Sequence, residues 1–304
     1  VEQTAIYDDE FRTLTYDPQM TWIPVTGISP EDVTTYAIGS FLTGGDSFPY
    51  TGGNVQSATL TDWANMYDGL QERALATRLM VPLIYGADTV HGFGNLQNAT
   101  IFPHNIGLGA TRDAALVRRI GEITAIESTA AGVDWSFSPC VTVPQDDRWG
   151  RTYEGFSENP ALVSELGVAY INGIQGSGLS NENSVLATAK HFVGDGGTTW
   201  GSGIMAKRDA SWQIIGGFLL DRGDAACSEA ELRSLHLAPY AAAIDQPIVE
   251  VGAVMVSFSS WNMEKCHANK YLITDVLKNE MGFNGFVISD WEGFAQINAP
   301  SYSS

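Results

Sequence analysis

The sequence is poor in positive charge, and this shortage narrows the classes of ligand it can bind. Its 304 residues include 16 Lys and Arg against 35 Asp and Glu, so the formal net charge is −19 at pH 7. Nucleic acids and anionic membranes are bound through basic faces, which this charge balance disfavours. We therefore expect no nucleic-acid partner and no membrane partner, and the composition favours neutral ligands.

Long apolar runs and metal-binding motifs are also lacking. No run approaches the roughly 18 apolar residues of a membrane span. The chain has only three cysteines, which are odd in number and widely spaced, so they predict neither a metal motif nor a dense disulfide framework. The sequence leaves open whether a pair forms among Cys140, Cys227 and Cys266. The five histidines never occur as His-x-His or His-Glu-x-x-His, and we expect no metal and no cofactor.

The start of the chain gives an expectation about processing and compartment. The chain begins at Val1 without an initiating Met, as in a processed mature chain or a fragment. We expect a secreted or periplasmic protein. Residues 1–28 show no clear periodicity and are interpreted as an N-terminal extension. No interdomain linker interrupts 29–304, which we interpret as one domain.

What the sequence does contain is a repeated order of strand, polar loop and helix. Strands are predicted at 38–42, 81–85, 133–137, 185–189, 251–258 and 286–289, and helices at 59–79, 113–131, 157–175 and 271–281. This rhythm is typical of βαβ units with a parallel sheet. Six strand candidates and no early Gly-x-Gly-x-x-Gly favour a TIM-type (β/α)8-like barrel over a Rossmann sheet.

Polar residues follow several of these strands. Asp88, Lys190-His191 and Asp290-Trp291 each come directly after or at the end of a predicted strand, and a further loop contains Arg151. One such Asp is about as often a helix cap as a catalytic group. Because the C-terminal strand ends of a parallel barrel share one face, four loops together favour a site.

The residue types at these strand ends suit the recognition of sugars. Carboxylates accept hydrogen bonds from hydroxyls, Lys and Arg donate to sugar oxygens, and Trp stacks on sugar rings. One carboxylate can attack an anomeric carbon. The neighbouring cationic groups Arg151, Lys190 and His191 favour the ionised form of that carboxylate.

Six segments together resemble the N-terminal barrel of glycoside hydrolase family 3. They are 84–92 (IYGADTVHG), 100–107 (TIFPHNIG), 147–154 (DRWGRTYE), 189–197 (AKHFVGDGG), 257–262 (SFSSWN) and 287–291 (VISDW). The resemblance extends over about 29–295 and is strongest to exo-acting β-glucosidases and β-glucan glucohydrolases. It implies an enzyme that releases terminal β-D-glucosyl units with retention of configuration.

The resemblance also implies roles for individual residues. Asp290 would be the nucleophile that forms a covalent glycosyl-enzyme intermediate, and Trp291 would wall the −1 and +1 subsites. Phe258, where some members have Tyr, would keep an apolar aromatic wall. The residues expected to hold the hydroxyls of the terminal glucosyl unit are Asp88, Arg151, Lys190 and His191.

The general acid/base is not assigned by the resemblance. In two-domain members a second domain supplies a Glu, and the present chain ends soon after Asp290. We therefore expect an incomplete barrel at the C-terminal end, and a C-terminal domain or second chain that brings the acid/base. Glu154, Asp195 and Glu292 are the local candidates. Asp195 stands where the single-domain hexosaminidase branch uses a His, which argues against that branch.

Two alternatives remain open at this point. The chain could be a non-catalytic carbohydrate-binding or structural remnant of such an enzyme, which the absent acid domain favours. It could also be an aldolase-type barrel that uses Lys190 as a Schiff base, although the neighbouring His191 belongs to the sugar-hydrolase motif. The expected substrates are β-glucosides, oligosaccharides or β-glucans, and the linkage preference stays unassigned.

Overall fold

The computed structural model describes most of the chain. The described residues are 3–5, 30–43, 49, 58–203, 206–208, 214–217, 219–247, 249–291 and 293–297. The N-terminal extension predicted over 1–28, apart from 3–5, lies outside them. Glu292 and the tail after 297 also lie outside them.

Short strands alternate with helices along the described chain. The α-helices are α1 (Pro30–Tyr36), α2 (Leu60–Leu75), α3 (Asn105–Thr111), α4 (Ala114–Ala130), α5 (Pro160–Ile174), α6 (Glu229–Glu231) and α7 (Ala238–Ile244). Two π-helices occupy Leu232–Leu237 and Tyr271–Glu280. The strands are β1 (Gln3–Ala5), β2 (Ser40–Thr43), β3 (Ile84–Ala87), β4 (Trp135–Ser136), β5 (Thr188–Phe192), β6 (Ala206–Arg208), β7 (Ile214–Gly217), β8 (Asp224–Ala225), β9 (Ala253–Val256), β10 (Ser260–Trp261), β11 (Glu264–Lys265) and β12 (Phe286–Ser289).

The chain divides into two compact units. The first unit contains Val1–Phe102, Glu122–Phe137 and Leu179–Leu186, and the second contains Pro103–Gly121, Ser138–Gly178 and Ala187–Ser304. The first unit carries a four-stranded parallel sheet in the order β1-β2-β3-β4. The second carries a three-stranded parallel sheet in the order β12-β9-β5.

Local sequence explains where helix α2 begins. Thr59 is its N-cap: the Thr59 hydroxyl accepts from the Asp62 N–H at 3.3 Å, and the Asp62 carboxylate accepts from the Thr59 N–H at 2.7 Å. This reciprocal capping box satisfies amides that the first turn leaves without partners. The helix then buries Trp63, whose ring contacts Tyr85 and Phe93 edge-on at centroid distances of 6.5 and 4.8 Å. This aromatic cluster forms the core of the first unit.

Several predicted helices and strands are present in the structure, but the predicted burial of one strand is wrong. Helices predicted at 59–79, 113–131 and 157–175 are present as α2, α4 and α5, and the strand at 286–289 is β12. The apolar composition of Phe286–Ser289 predicts a buried strand, and this prediction is wrong, because Phe286 is exposed and the residues after it are half-buried. The physical reason is that, among the described residues, this strand pairs with β9 alone and so lies at the edge of its sheet.

The expected (β/α)8-like barrel, incomplete at its C-terminal end, is not shown by the strand pairing. Among the described residues, pairing forms sheets of two to four strands and does not close into an eight-stranded ring. The structure shows a mixed fold of helices and small sheets. The sheet that contains β3 is parallel, and so is the sheet that contains β5 and β12. No helix in the described part of the chain is long and apolar enough to cross a membrane.

Candidate active site

Asp290 is the first residue after β12, and its two carboxylate oxygens have different environments. Oδ1 accepts a hydrogen bond from the backbone N–H of Trp291 at 2.7 Å. Oδ2 is buried and has no hydrogen-bond partner among the described residues. A buried carboxylate oxygen without a partner is costly unless a ligand uses it. One oxygen is therefore held by the backbone, and the other is available to a substrate.

His191, from β5, lies next to this available oxygen. Its Nε2 is 3.9 Å from Asp290 Oδ2 and 2.8 Å from Arg151 Nη2, while its Nδ1 is 2.9 Å from Asp195 Oδ2. A guanidinium can only donate, so Nε2 accepts and the ring proton lies on Nδ1, where Asp195 accepts it. The surrounding groups thus fix one neutral tautomer of the ring.

Asp195 is itself held by two further hydrogen bonds. Its Oδ1 accepts from the Thr142 hydroxyl at 2.6 Å and from the Gly196 N–H at 3.0 Å. The carboxylate is buried. With His191 on its other oxygen, Asp195 uses both oxygens to orient neighbours, and this orientation is its role in the geometry.

Arg151 and Glu154 form a bidentate ion pair. Arg151 Nε and Nη2 lie 2.7 and 2.9 Å from Glu154 Oε1 and Oε2. Burial alone would raise the pKa of Glu154, but the hydrogen bonds and charge of Arg151, together with nearby Lys190, lower this pKa to about 2. Glu154 in turn raises the pKa of Arg151 above its usual value, against the effect of burial.

Lys190 and Phe258 are the other two predicted site residues that are buried in the second unit. Lys190 is buried beside His191, and its backbone bonds to Pro139 O and the Val141 N–H fix that end of β5. Phe258 is buried, with the Arg222 guanidinium 4.2 Å above its ring.

The sequence-predicted residues fall in both units. Arg151, Lys190, His191, Phe258, Asp290 and Trp291 all belong to the second unit, in which the structure joins Arg151, His191 and Asp290 through the contacts above. Trp291 is largely exposed. Asp88 belongs to the first unit, where it directly follows β3 and is half-buried.

His267 is a site residue that sequence reasoning missed. Its Nε2 accepts a hydrogen bond from the backbone N–H of Asp290 at 3.3 Å. Burial lowers the pKa of His267, while the Asp290 charge acts in the opposite direction. In the sequence it was only one of five histidines outside any metal motif, and no local pattern links it to Asp290.

No described local candidate is arranged as a general acid. Glu154 is ionised and has both oxygens on Arg151, and Asp195 has both oxygens in hydrogen bonds. Glu292 lies outside the described residues. In the part of the chain that the structure describes, no group of three His, Cys, Asp or Glu side chains could hold a metal ion.

Comparison with known proteins identifies the family of the chain. The family model described as the glycosyl hydrolase family 3 N terminal domain matches residues 19–214 and 219–302. The chain belongs to glycosyl hydrolase family 3. The resemblance noted in the sequence is thereby confirmed.

Similar proteins within family 3 are β-glucosidases and glucanases. A lysosomal β-glucosidase of Dictyostelium discoideum is 30% identical over 92% of this chain and 34% of its own length. A periplasmic β-glucosidase of Salmonella typhimurium is 29% identical over 94% of this chain and 33% of its own length. The chain thus spans about a third of the length of the curated relatives it matches.

Solved family 3 structures have the same fold. A Q683A mutant of an exo-1,3/1,4-β-glucanase from a Pseudoalteromonas species superposes with a TM-score of 0.79 at 40% identity, over 98% of this chain and 42% of the neighbour. A β-glucosidase from Listeria innocua in complex with isofagomine gives 0.69 at 32% identity, over 88% of this chain and 32% of the neighbour. Because these relatives are glycoside hydrolases, the alternative of a non-catalytic remnant is not favoured.

Proposed function

We propose that this family 3 chain carries the nucleophile of a retaining glycoside hydrolase that releases terminal β-D-glucosyl units from β-glucosides, oligosaccharides or β-glucans. The observation that carries the proposal is the asymmetry of Asp290, whose Oδ1 is held by a backbone N–H while Oδ2 lacks a partner among the described residues. The named activities of the relatives support the substrate class. We further propose that the strands belong to a TIM-type (β/α)8-like barrel.

The first chemical step forms a covalent intermediate on Asp290. Oδ2 attacks the anomeric carbon, a C–O ester bond forms, and the glycosidic bond to the leaving oxygen breaks. A general acid protonates that oxygen. A water then attacks the same carbon, the same group takes its proton, and the ester bond breaks to regenerate the Asp290 carboxylate and release glucose with retained configuration.

The sugar hydroxyls are held by basic side chains. In this proposal Arg151, Lys190 and His191 bind the terminal glucosyl unit. The His191 ring lies beside the reacting carboxylate, with Nε2 3.9 Å from Asp290 Oδ2, and its Nε2 holds the Arg151 guanidinium next to the sugar. Trp291 and Phe258 supply aromatic walls.

The general acid/base comes from outside the described residues. Retaining enzymes place the second carboxyl roughly 5–5.5 Å from the nucleophile. Glu154 and Asp195 are both committed to other partners, so we infer that a C-terminal domain or a second chain supplies this group. The family model that matches is that of the N-terminal domain, and the relatives are about three times longer than the matched region, which supports the inference. A periplasmic relative supports a secreted or periplasmic location.

The test compares Asp290→Asn with the wild type in the whole protein as its gene encodes it. Wild type should hydrolyse an aryl β-glucoside, and proton NMR should show β-glucose as the first product. Asp290→Asn should lose at least about 10³-fold in kcat, because the amide cannot form the ester. Asp275→Asn is the matched control, since Asp275 is an exposed partner of Lys270 and should keep full activity. First appearance of α-glucose, or normal turnover by Asp290→Asn, would contradict the proposal.

A further inference from the structure

The chain leaves its sheet at Asp290, and its backbone there needs another support. The β12–β9 pairing ends at Ser289, opposite Val256, so Asp290 is the first residue beyond the ladder. β12 is also an edge strand. The backbone of a catalytic side chain must be held closely, because a displacement of about 1 Å can cost about 10²-fold in rate.

The imidazole of His267 meets the Asp290 amide at this point. Its Nε2 lies 3.3 Å from the Asp290 nitrogen, and the residue is buried in the short 3-10 turn Cys266–Ala268. That turn is fixed from two sides: the Cys266 N–H donates to Ser259 O at 3.0 Å, and Cys266 Sγ donates to Val193 O at 3.5 Å. The ring therefore approaches Asp290 from a rigid part of the second unit.

The protonation of His267 follows from its partners. A backbone N–H can only donate, so Nε2 accepts from Asp290 and has no proton. The ring's other hydrogen bond is to the Ser257 backbone, so the proton lies on Nδ1. Burial and the nearby Lys265 lower the pKa of His267, while Asp290 and Ser257 raise it, and the balance is a lowered pKa that favours the neutral ring.

The turn after Asp290 is built around this ring. The Gly293 N–H donates to Asp290 O at 2.9 Å, so the chain bends back at once. A Cβ on Gly293 would overlap with His267 Nε2, so only glycine leaves room for the ring here. The ring thus packs directly against the backbone on both sides of the Asp290 side chain, and Phe258 and Phe294 flank it at 6.1 and 5.7 Å.

We propose that His267 is a positioning residue for the nucleophile. Its unprotonated Nε2 anchors the Asp290 amide, and this anchor keeps Oδ2 directed at the anomeric carbon. The inference rests on the proposed function of Asp290, and it adds a residue that does not touch the sugar.

Two substitutions distinguish the contributions of the two ring nitrogens of His267. In His267→Asn the side-chain amide reaches only the Nδ1 position, so it can keep the bond to Ser257 but has no acceptor for Asp290. In His267→Gln the longer side chain brings an amide oxygen to the Nε2 position. The pair therefore tests the acceptor at Asp290 apart from the packing of the turn.

The readout is the rate of covalent labelling by 2,4-dinitrophenyl 2-deoxy-2-fluoro-β-D-glucoside in the whole protein. Its good leaving group needs little help from a general acid, so the rate reports attack by Asp290. We expect His267→Asn to be slowed by about 10²-fold and His267→Gln to recover most of that loss. The inhibition constant of glucose should stay within about twofold of wild type in both variants, because the hydroxyl-binding groups are untouched.

Each outcome supports or overturns the proposal. An unchanged labelling rate in His267→Asn overturns it. An equal loss of labelling rate in His267→Asn and His267→Gln, accompanied by weaker glucose binding, also overturns it, because that result would indicate a structural role. If His267→Asn does not fold, Gly293→Ala serves as the second variant, since its methyl displaces the ring and should slow labelling alone. If wild type is not labelled on Asp290, the proposed function fails first; if it is labelled and His267→Asn matches it, only this inference fails.

Discussion

The ion pair between Arg151 and Glu154 makes a pH-dependent contribution to stability that can be calculated. Glu154→Gln removes the charge and replaces one acceptor by an amide N–H, which then faces a guanidinium that only donates. The pKa of Glu154 falls from its ordinary value of 4.5 to about 2 in the folded protein. At about 1.4 kcal/mol for each pKa unit, the charged form adds roughly 3 kcal/mol to the free energy of unfolding near neutral pH.

The sign of the pH dependence follows from the lowered pKa. The contribution is fully present above the unfolded pKa and is lost as pH falls toward the folded value. Between about pH 7 and about pH 3 the stability difference between wild type and Glu154→Gln should therefore shrink by about 2 kcal/mol. Urea unfolding of both proteins over this range measures it.

The control uses an exposed pair with the same chemistry. Arg233 Nη1 and Nη2 lie 2.6 and 2.9 Å from the two oxygens of Glu280, which is largely exposed to solvent. Glu280→Gln should change stability little, because water screens such pairs. A Glu154→Gln difference that is no larger than that of Glu280→Gln, or that does not change with pH, would refute the reasoning.

Burial and hydrogen bonding lead to three further predictions. Trp63→Ala empties the centre of the first core and should lower the free energy of unfolding by about 3–5 kcal/mol in urea titrations; a loss under about 1 kcal/mol would contradict the packing. Asp195→Asn replaces the carboxylate that accepts from Nδ1 of His191 by an amide, and we expect weaker inhibition by glucose; unchanged inhibition would contradict the orienting role of Asp195. Alkylation of the native protein followed by mass spectrometry should label Cys227 well before Cys140 or Cys266. Burial raises the pKa of the Cys140 and Cys266 thiols and blocks access of the reagent, so early labelling of either would contradict their burial.

Part of the site could be predicted from the sequence because the information is local. Phe286 to Ser289 form a strand that delivers Asp290 at its end, and Lys190 and His191 lie near the end of another. The alternation of strands with helices also rests on neighbouring residues, and the structure confirms it.

Other parts depend on contacts between distant segments, which no local pattern encodes. The partnership of His267 with Asp290 joins residues 23 positions apart, and that of Thr142 with Asp195 joins residues 53 apart. The exposure of β12 depends on which strands pair with it. Its apolar composition predicts burial, but composition does not encode this pairing. The role of Asp195 was likewise hidden, because the sequence offered it only as a candidate acid.

The most direct test of the central claim is the identity of the residue that becomes covalently glycosylated. The whole protein would be labelled with the fluoro-glucoside, digested at low pH to preserve the ester, and sequenced by mass spectrometry. The account predicts a single modified peptide that contains 286–291, with the sugar on Asp290 and no adduct in Asp290→Asn. A sugar on any other residue, or active enzyme that forms no adduct, would contradict it.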